Sequence, residues 1–284
     1  MPNEHGPTTR HRRLAAELRR LREEAGLTPE VAAAALGWSR TKLVRIEIGR
    51  TMPSVADVSH ILETYGGVSQ AIKLALVQLA RDIRQRGWWT SYGDVLAGGF
   101  VELEDAANHI RSWQVQLVPG LLQTERYART VIGAEATDEA QIDRRLQARM
   151  TRRTLLARRN APQLDVVLAE EVLRRPIGSR AIMADQLDAL LAAAERPNVS
   201  IRVVPISIGH HPAIGQGSLV LFAFASPMDL DVAYVETFSG GVYVEDVPQV
   251  ARCSVTFDRI ADVALSMEES AAHIAAIAKE FRSQ

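Results

Sequence analysis

The first third of the chain is patterned for short amphipathic helices. Leu14, Leu18 and Leu21 recur at positions i, i+4 and i+7, and arginines and glutamates fill the positions between them. This is the spacing of one buried helix face. The helix is predicted to end at Gly26, and Ser or Thr caps with glycine stops predict four more helices. They are expected at about 28–35, 40–47, 54–66 and 69–86.

From residue 87 the pattern changes to a mixture of helices and strands. Short runs rich in Val, Ile and Phe, bounded by Gly or Pro, predict strands. These runs are 114–118, 164–169, 199–205, 218–225, 232–236 and 241–244. Helices are predicted at about 103–112, 121–132, 138–160, 184–196, within part of 249–264, and at 266–282. The apolar alternation through Val250, Cys253, Val255 and Phe257 is typical of a core strand.

These elements predict an all-α helix-turn-helix N-terminal domain followed by an α+β C-terminal domain, with mixed helices and a sheet of about five strands. A chain of 284 residues is long enough for two domains with cores of their own. We expect a disordered arm over 1–8, the helix-turn-helix domain over 9–68, a connecting helix over 69–86 and the α+β domain over 87–284.

Charge is distributed unevenly along a chain whose net charge is only -1. Residues 1–86 contain 14 Lys and Arg against 9 Asp and Glu, and the remainder contains 19 against 25. A basic small domain joined to an acidic larger one is typical of a nucleic-acid reader with a partner or ligand domain. With no long apolar run, no secretory signal pattern and a single cysteine, we expect a cytoplasmic, nucleoid-associated protein.

The segment Leu27–Arg50 carries the strongest chemical signal. Two short helices joined by Leu36-Gly37-Trp38 must cross steeply, and the small side chain of Ala33 permits their close approach. Such a second helix fits the major groove of duplex DNA, where a guanidinium matches O6 and N7 of guanine. Four donors are expected on its outer face: Arg40, Thr41, Lys42 and Arg45.

The same segment resembles the Xre/Cro-repressor family of helix-turn-helix regulators over about residues 14–66. The motifs that carry the resemblance are Leu18-Arg19-Arg20-Leu21-Arg22, Ser39-Arg40-Thr41-Lys42-Leu43 and Arg45-Ile46-Glu47-Ile48-Gly49-Arg50. It implies double-stranded DNA as the partner and an internal ion pair between Arg22 and Glu47. The DNA contacts that it implies are base contacts from Arg40, Thr41 and Arg45, and contacts mainly to phosphates from Thr28, Ser39, Lys42 and Arg50.

This chain departs from that family at one position. The family usually has a glutamine where this chain has Pro29, and proline cannot make the glutamine's contact. Thr28 and the backbone N–H groups at the start of the helix are alternative donors to a phosphate.

The second half of the chain resembles a further family. The segments that carry the resemblance are Trp113–Arg129, Ala169–Gly178 and Val203–Phe224. They are similar to the large C-terminal domain of WhiJ-type actinobacterial Xre regulators, over roughly residues 70–284. Members are often encoded beside a small BldB-like protein in an antitoxin-like pairing, so the resemblance implies a small protein partner.

No catalytic constellation accompanies these motifs. Adjacent Glu170 and Glu171 point apart on either a strand or a helix. His210-His211 lies in a predicted loop without further ligands at metal spacing. We therefore predict neither an enzyme nor a metal or cofactor site.

The predicted helix over 138–160 is rich in arginine. Its guanidinium groups either contact DNA phosphates a second time or form a solvated face with acidic neighbours, and the sequence leaves both interpretations open. The arginines are Arg144, Arg145, Arg149, Arg152, Arg153, Arg158 and Arg159.

The leading hypothesis is a homodimeric, DNA-binding transcription regulator whose C-terminal domain dimerises and senses a partner or effector. Its two recognition helices would lie about 34 Å apart and read the half-sites of a pseudo-palindrome. One alternative is an antitoxin-like protein that neutralises the small BldB-like partner and binds DNA only for autoregulation. Another is a small-molecule-gated repressor with a pocket between the Pro119-Gly120 loop and the loop over 210–217.

Overall fold

A computed structural model of the chain describes residues 9–84, 87–96, 99–136, 138–225, 230–237 and 240–283. These residues divide into two compact units, one built mainly on residues up to 93 and the other mainly on residues from 103 onwards. The predicted disordered arm, 1–8, lies outside the described residues.

The first unit is helical. Its helices are α1 (Thr9–Glu24), α2 (Pro29–Ala35), α3 (Arg40–Glu47), α4 (Val55–Tyr65) and α5 (Gln70–Arg84), followed by a 3-10 turn at Trp88–Tyr92. Hydroxyl side chains of Thr28, Ser39 and Ser54 cap the starts of α2, α3 and α4. All five helices contribute to one apolar core, in which Leu18, Ile46 and others are fully buried.

The turn between α2 and α3 depends on a glycine. Gly37 adopts a φ of 67°, which L side chains rarely adopt. The N–H of Trp38 donates to the carbonyl of Ala33 at 2.9 Å, so the end of α2 is closed by a backbone hydrogen bond across this glycine. Ala33 is buried in the same core, where a larger side chain would hold the two helices apart.

The second unit contains a mixed six-stranded sheet. Its strands are β1 (His109–Gln114), β2 (Gln163–Ala169), β3 (Val199–Val204), β4 (Leu219–Ala223), β5 (Val232–Thr237) and β6 (Gly240–Val244). They lie in the order β3-β2-β1-β4-β5-β6. β1, β2 and β3 pair in parallel, and β4, β5 and β6 continue the sheet antiparallel. The predicted fold class is confirmed, with six strands in place of about five.

Helices cover this sheet and extend beyond it. They are α6 (Phe100–Ala106), α7 (Glu125–Gly133), α8 (Glu139–Arg153), α9 (Glu170–Arg174), α10 (Arg180–Ala194), α11 (Val247–Val263) and α12 (Met267–Ser283). Helices α10 and α12 pack against each other and against β3, and α11 packs against β3, β4 and β5. Short 3-10 turns lie at Gly120–Leu122, Thr154–Ala157 and Ile206–Ile208. Among the described residues, no helix is long and apolar enough to cross a bilayer.

The position predicted from the sequence for the central strand β1 is incorrect. The helix predicted over 103–112 ends at Ala106, and the strand predicted over 114–118 lies earlier, at His109–Gln114. β1 pairs with β2 on one side and β4 on the other, so polar side chains within it become buried. Buried Gln114 donates to the hydroxyl of buried Ser112 at 3.0 Å, so each of these polar groups has a partner inside the sheet.

The strand predicted around Cys253 is also wrong. These residues belong to α11, which Asp246 caps by accepting from the N–H of Gln249. Val250, Phe257 and Ile260 are buried on one face of this helix. Their separations of seven and three residues fit the 3.6-residue period of a helix, whereas in a strand residues an odd number apart lie on opposite faces. Proline at position 248, inside the first turn, favours the helix.

Candidate nucleic-acid interface

Helix α3 presents three polar side chains on its outer face. Arg40, Thr41 and Arg45 are exposed, while Leu43 and Ile46 point into the core. The helix is short, and its first residues follow directly from the α2–α3 turn. A helix in this position can enter a major groove with these three side chains facing the base edges.

The two capping hydroxyls lie at the same surface. Thr28 accepts from the N–H of Val31 at 3.3 Å, and Ser39 accepts from the N–H of Lys42 at 3.2 Å. Both residues are exposed. A hydroxyl that accepts through a lone pair keeps its proton, so the Ser39 cap can still donate to a phosphate oxygen, whereas the Thr28 hydroxyl also donates to Glu30 and must exchange that carboxylate for a phosphate.

Arg40 has a carboxylate partner that the sequence reasoning missed. Its guanidinium forms an ion pair with Glu30 on α2, and both side chains are about 60% exposed, at 62% and 59%. The pKa of Glu30 is lowered, first by a hydrogen bond from its own backbone N–H and then by Arg40. Without DNA, the first base-reading candidate is therefore held by the preceding helix.

Lys42 is held within the unit by two contacts. Its ammonium donates to Asp57 of α4 at 2.8 Å and lies 3.6 Å from the centre of the Trp38 ring. Burial opposes ionisation of Asp57, but hydrogen bonds from Lys42 and Ser54 outweigh it and lower the pKa of this carboxyl to about 2. Lys42 thus links α3 to the start of α4 in addition to facing solvent.

Arg22 and Glu47 meet in the core of the unit. Nε and one terminal nitrogen of Arg22 donate to the two carboxylate oxygens of Glu47 at 2.8 and 3.1 Å. Their side chains are 6% and 4% exposed. Arg22 also donates to the carbonyl of Leu27 at 2.7 Å, and the hydroxyl of Tyr65 donates to Glu47 at 3.4 Å. This network joins α1, α3 and α4, and it fixes how α3 is presented.

Arg45 and Arg50 are exposed at the end of α3 and just beyond it. Among the described residues, neither forms an ion pair with a carboxylate. Of the predicted DNA contacts, these two guanidinium groups are therefore the ones whose charge the unit itself leaves uncompensated.

Each of the two units matches a known protein family over most of its length. Residues 13–71 match a family described as a helix-turn-helix domain, which indicates a DNA-binding regulator. Residues 98–276, more than half of the chain, match a family described as a domain of unknown function, DUF5753.

The chain belongs to the DUF5753 family. No curated protein and no solved structure matches it significantly. The matched range contains β1 to β6, α6 to α11 and the first part of α12. Its family description assigns it no activity, so its chemistry must come from its own residues.

The arginines of α8 in the DUF5753 domain mostly face carboxylates. Arg152 donates to both oxygens of Glu104 at 2.8 Å, with side chains 12% and 6% exposed. Arg144 pairs with Asp94 at 3.2 Å, and Arg158, which follows the Thr154–Ala157 turn beyond α8, pairs with Asp105 at 2.6 Å. The interpretation as a face with acidic neighbours, left open by the sequence, is the one that this geometry favours.

Arg149 is buried differently. It donates to the side-chain oxygen of Gln123 at 2.8 Å. Burial, with the positive charge of Arg152 adding to it, lowers the pKa of Arg149 to about 10. The group stays charged at neutral pH, and its place against the Gly120–Leu122 turn makes it part of the scaffold.

The other polar candidates form local contacts. His211 packs its ring edge-on against Trp113, with centroids 5.5 Å apart. Glu170 accepts from the N–H of Ile206 at 2.9 Å and pairs with Arg174 of α9. Asp165 accepts from Ser200 at 2.6 Å and contacts His109 at 2.8 Å. The serine and histidine lie on opposite oxygens of that carboxylate, and this is not the order of a nucleophile, base and orienting acid.

No group of three or more potential metal ligands occurs in the described part of the chain.

Proposed function

We propose that the chain is a sequence-specific transcription regulator that inserts α3 into the major groove of duplex DNA. Arg40, Thr41 and Arg45 read base edges in this arrangement. Thr28, Ser39, Lys42 and Arg50 contact phosphates around them. The observation that carries the proposal is the exposed outer face of α3, on which Arg45 has no carboxylate partner among the described residues while the inner face is fully buried.

Two further observations support this arrangement. The Arg22–Glu47 network holds α3 rigidly against α1, which lowers the entropy lost when the helix docks. The capping hydroxyls place O–H donors beside the helix start without disturbing the caps.

The test begins by selecting binding sites from random duplexes with the full-length protein. Arg45→Ala is then compared with wild type on the selected site by fluorescence anisotropy. A guanidinium that reads a guanine is worth about 1–3 kcal/mol, so affinity should fall roughly 5- to 100-fold and preference at one base position should relax.

Arg81→Ala is the matched control. Arg81 is an exposed arginine of α5 with no ion pair among the described residues, and its loss removes the same charge. The proposal fails if both variants keep their helical content and bind the selected site equally well.

We further propose that the protein acts as a homodimer through the DUF5753 domain. Two copies of α3 about 34 Å apart would then contact successive turns of one face of the duplex. Sedimentation of the full chain should give a dimer, and footprints should show two related half-sites. A single asymmetric half-site bound by a monomer would contradict this.

The resemblance to WhiJ-type Xre regulators supports a small BldB-like protein as a partner of the DUF5753 domain. Co-expression of the tagged full chain with a small protein encoded beside it tests this. Recovery of a stable complex supports the partnership, and its absence at matched expression counts against it.

A further inference from the structure

A cleft of about 350 Å³ lies on the DUF5753 domain. It is formed by the Gly120–Leu122 turn, the Thr154–Ala157 turn with the end of α8, and the second half of α10. The volume lies near the lower end of the ~300–1,000 Å³ usual for small-molecule sites. The cleft includes Leu121 and Leu122, just after Pro119-Gly120, but no residue of the loop over 210–217.

The floor of the cleft is apolar. Leu121, Leu122 and Leu156 are buried beneath it. Along α10, Ala189, Ala192 and Ala193 share one helix face and line one wall. Since alanine leaves space that a longer side chain would fill, the wall admits the apolar body of a ligand.

Two guanidinium groups border this apolar floor. Arg153 ends α8, Arg196 follows the end of α10, and both line the cleft. The ten lining residues include no carboxylate. The cleft is therefore apolar at its base and positive at its margin.

These two arginines differ from their neighbours on α8. Among the described residues, neither Arg153 nor Arg196 forms an ion pair, although Arg144, Arg152 and Arg158 do. Arg153 reaches only the sulfur of Met150, at 3.7 Å. Burial, and then the charge of Arg196, lowers the pKa of Arg153. Helix C-termini favour nearby cations, but partial charges do not neutralise two full ones.

From this cleft we infer that the DUF5753 domain binds a small amphipathic anion, with a carboxylate or phosphate head between Arg153 and Arg196 and an apolar tail on the leucine floor. Guanidinium groups bind both kinds of head through paired, charge-assisted hydrogen bonds. The tail covers apolar surface of the cleft that is otherwise open to solvent, chiefly that of the alanines on α10.

The experiment uses the full-length protein and five probes in titration calorimetry and thermal shift. Octanoate and octyl phosphate carry both head and tail, octanol and octylamine lack the negative head, and inorganic phosphate lacks the tail. Because hydrogen bonds to charged groups are worth ~1.5–3 kcal/mol, the two anionic probes should bind at least about tenfold more tightly than the other three. Their relative affinity tells a carboxylate site from a phosphate site.

Variants locate the binding. Arg153→Gln with Arg196→Gln should abolish the preference for an anionic head. Ala192→Leu, at an exposed position of α10, should weaken every tailed probe by filling the cleft, since leucine is also a good helix former. The matched control is Arg159→Gln with Arg259→Gln, which removes two exposed charges outside the cleft and should keep wild-type binding.

Three results would overturn the inference. If octanol bound as tightly as octanoate, the site would not require an anionic head. If inorganic phosphate bound as tightly as octyl phosphate, the site would not require an apolar tail. Retention of the anion preference in the double arginine variant, with its thermal unfolding unchanged, would place the site elsewhere. None of these results depends on DNA binding, so this inference and the proposed function fail separately.

Discussion

Helices α3 and α8 both carry several arginines, and their surroundings differ. Around α3, Arg45 and Arg50 have no carboxylate partner in the described residues, and Arg40 has only an exposed one. Along α8, Arg152 is buried against Glu104, and Arg144 pairs with Asp94 of the same unit. An arginine whose charge is compensated internally must lose a partner before it can gain a phosphate.

The number of arginines in a helix is therefore a poor guide to a nucleic-acid surface. What separates Arg45 from Arg144 and Arg152 is whether a carboxylate reaches the guanidinium, and this depends on residues distant in sequence. Arg153 follows the same rule, since it lies on α8 but lacks an acidic partner and borders the cleft.

The largest expected effect comes from breaking the buried pair on α8. Glu104→Gln removes the carboxylate that accepts two hydrogen bonds from the buried guanidinium of Arg152. Removing one partner of such a pair costs about 3–5 kcal/mol in the free energy of unfolding. Urea denaturation followed by circular dichroism measures it.

Asp185→Asn provides the contrast on the same domain. Asp185 pairs with Arg126, and their side chains are 54% and 60% exposed. Such a pair contributes about 0–1 kcal/mol. If the two variants lose similar stability, the distinction between buried and exposed arginines is wrong.

The next largest effect is expected on the stability of the folded protein at low pH. Asp57 has a pKa of about 2 in the folded protein, below the 3.8 of an unperturbed group, so the unfolded chain binds the proton first. Its stabilising contribution, about 1–2 kcal/mol, is complete above pH 4 and is lost as the pH falls toward 2.

Comparison with Asp57→Asn isolates that contribution. The wild-type advantage in free energy of unfolding should shrink steadily between pH 4 and pH 2. An advantage that stays constant over this range would show that the Lys42–Asp57–Ser54 contacts do not shift the carboxyl as the geometry requires.

A smaller effect is expected in the salt dependence of DNA affinity, and it distinguishes the surface around α3 from α8. Arg50→Ala removes one proposed phosphate contact, so the slope of log affinity against log salt should fall by about 1. Arg144→Ala removes an arginine that already pairs with Asp94, and the slope should stay at the wild-type value. A reduced slope for Arg144→Ala would make α8 a DNA surface after all.

The smallest expected effect is at Glu30. Glu30→Gln releases Arg40, and because exposed pairs contribute only about 0–1 kcal/mol, DNA affinity should rise about two- to threefold. Glu24→Gln is the control, since Glu24 pairs with Arg20 on the exposed face of α1. Equal affinities for the two variants would show that Glu30 does not compete with DNA for Arg40.

The sequence predicted the helical unit well because its signals are local. Thr28, Ser39 and Ser54 each mark a helix start through a hydrogen bond that spans three residues. β1 gave no such signal. Ser112 and Gln114 form a hydrogen bond with each other inside the sheet, and the apolar–polar alternation of the sequence does not reveal such a bond.

Contacts between distant residues were the harder part of the candidate site. Nothing in the sequence distinguishes the carboxylates of Glu30 and Asp57 from other surface charges. In the structure they form ion pairs with Arg40 and Lys42. Nothing along the chain indicates that Arg152 meets Glu104, 48 residues away. Such pairings arise from packing, so the sequence left both interpretations of α8 open.

The capping hydroxyls of α2 and α3 also affect which mutant alleles a genetic screen would yield. Loss of the hydroxyl at Thr28 or Ser39 weakens the fold and the proposed DNA contact together, because one oxygen atom contributes to both. Alleles at Arg45 or Arg50 would instead affect binding alone. A screen for loss of repression or activation should therefore yield temperature-dependent alleles at the caps and temperature-independent alleles at Arg45 and Arg50.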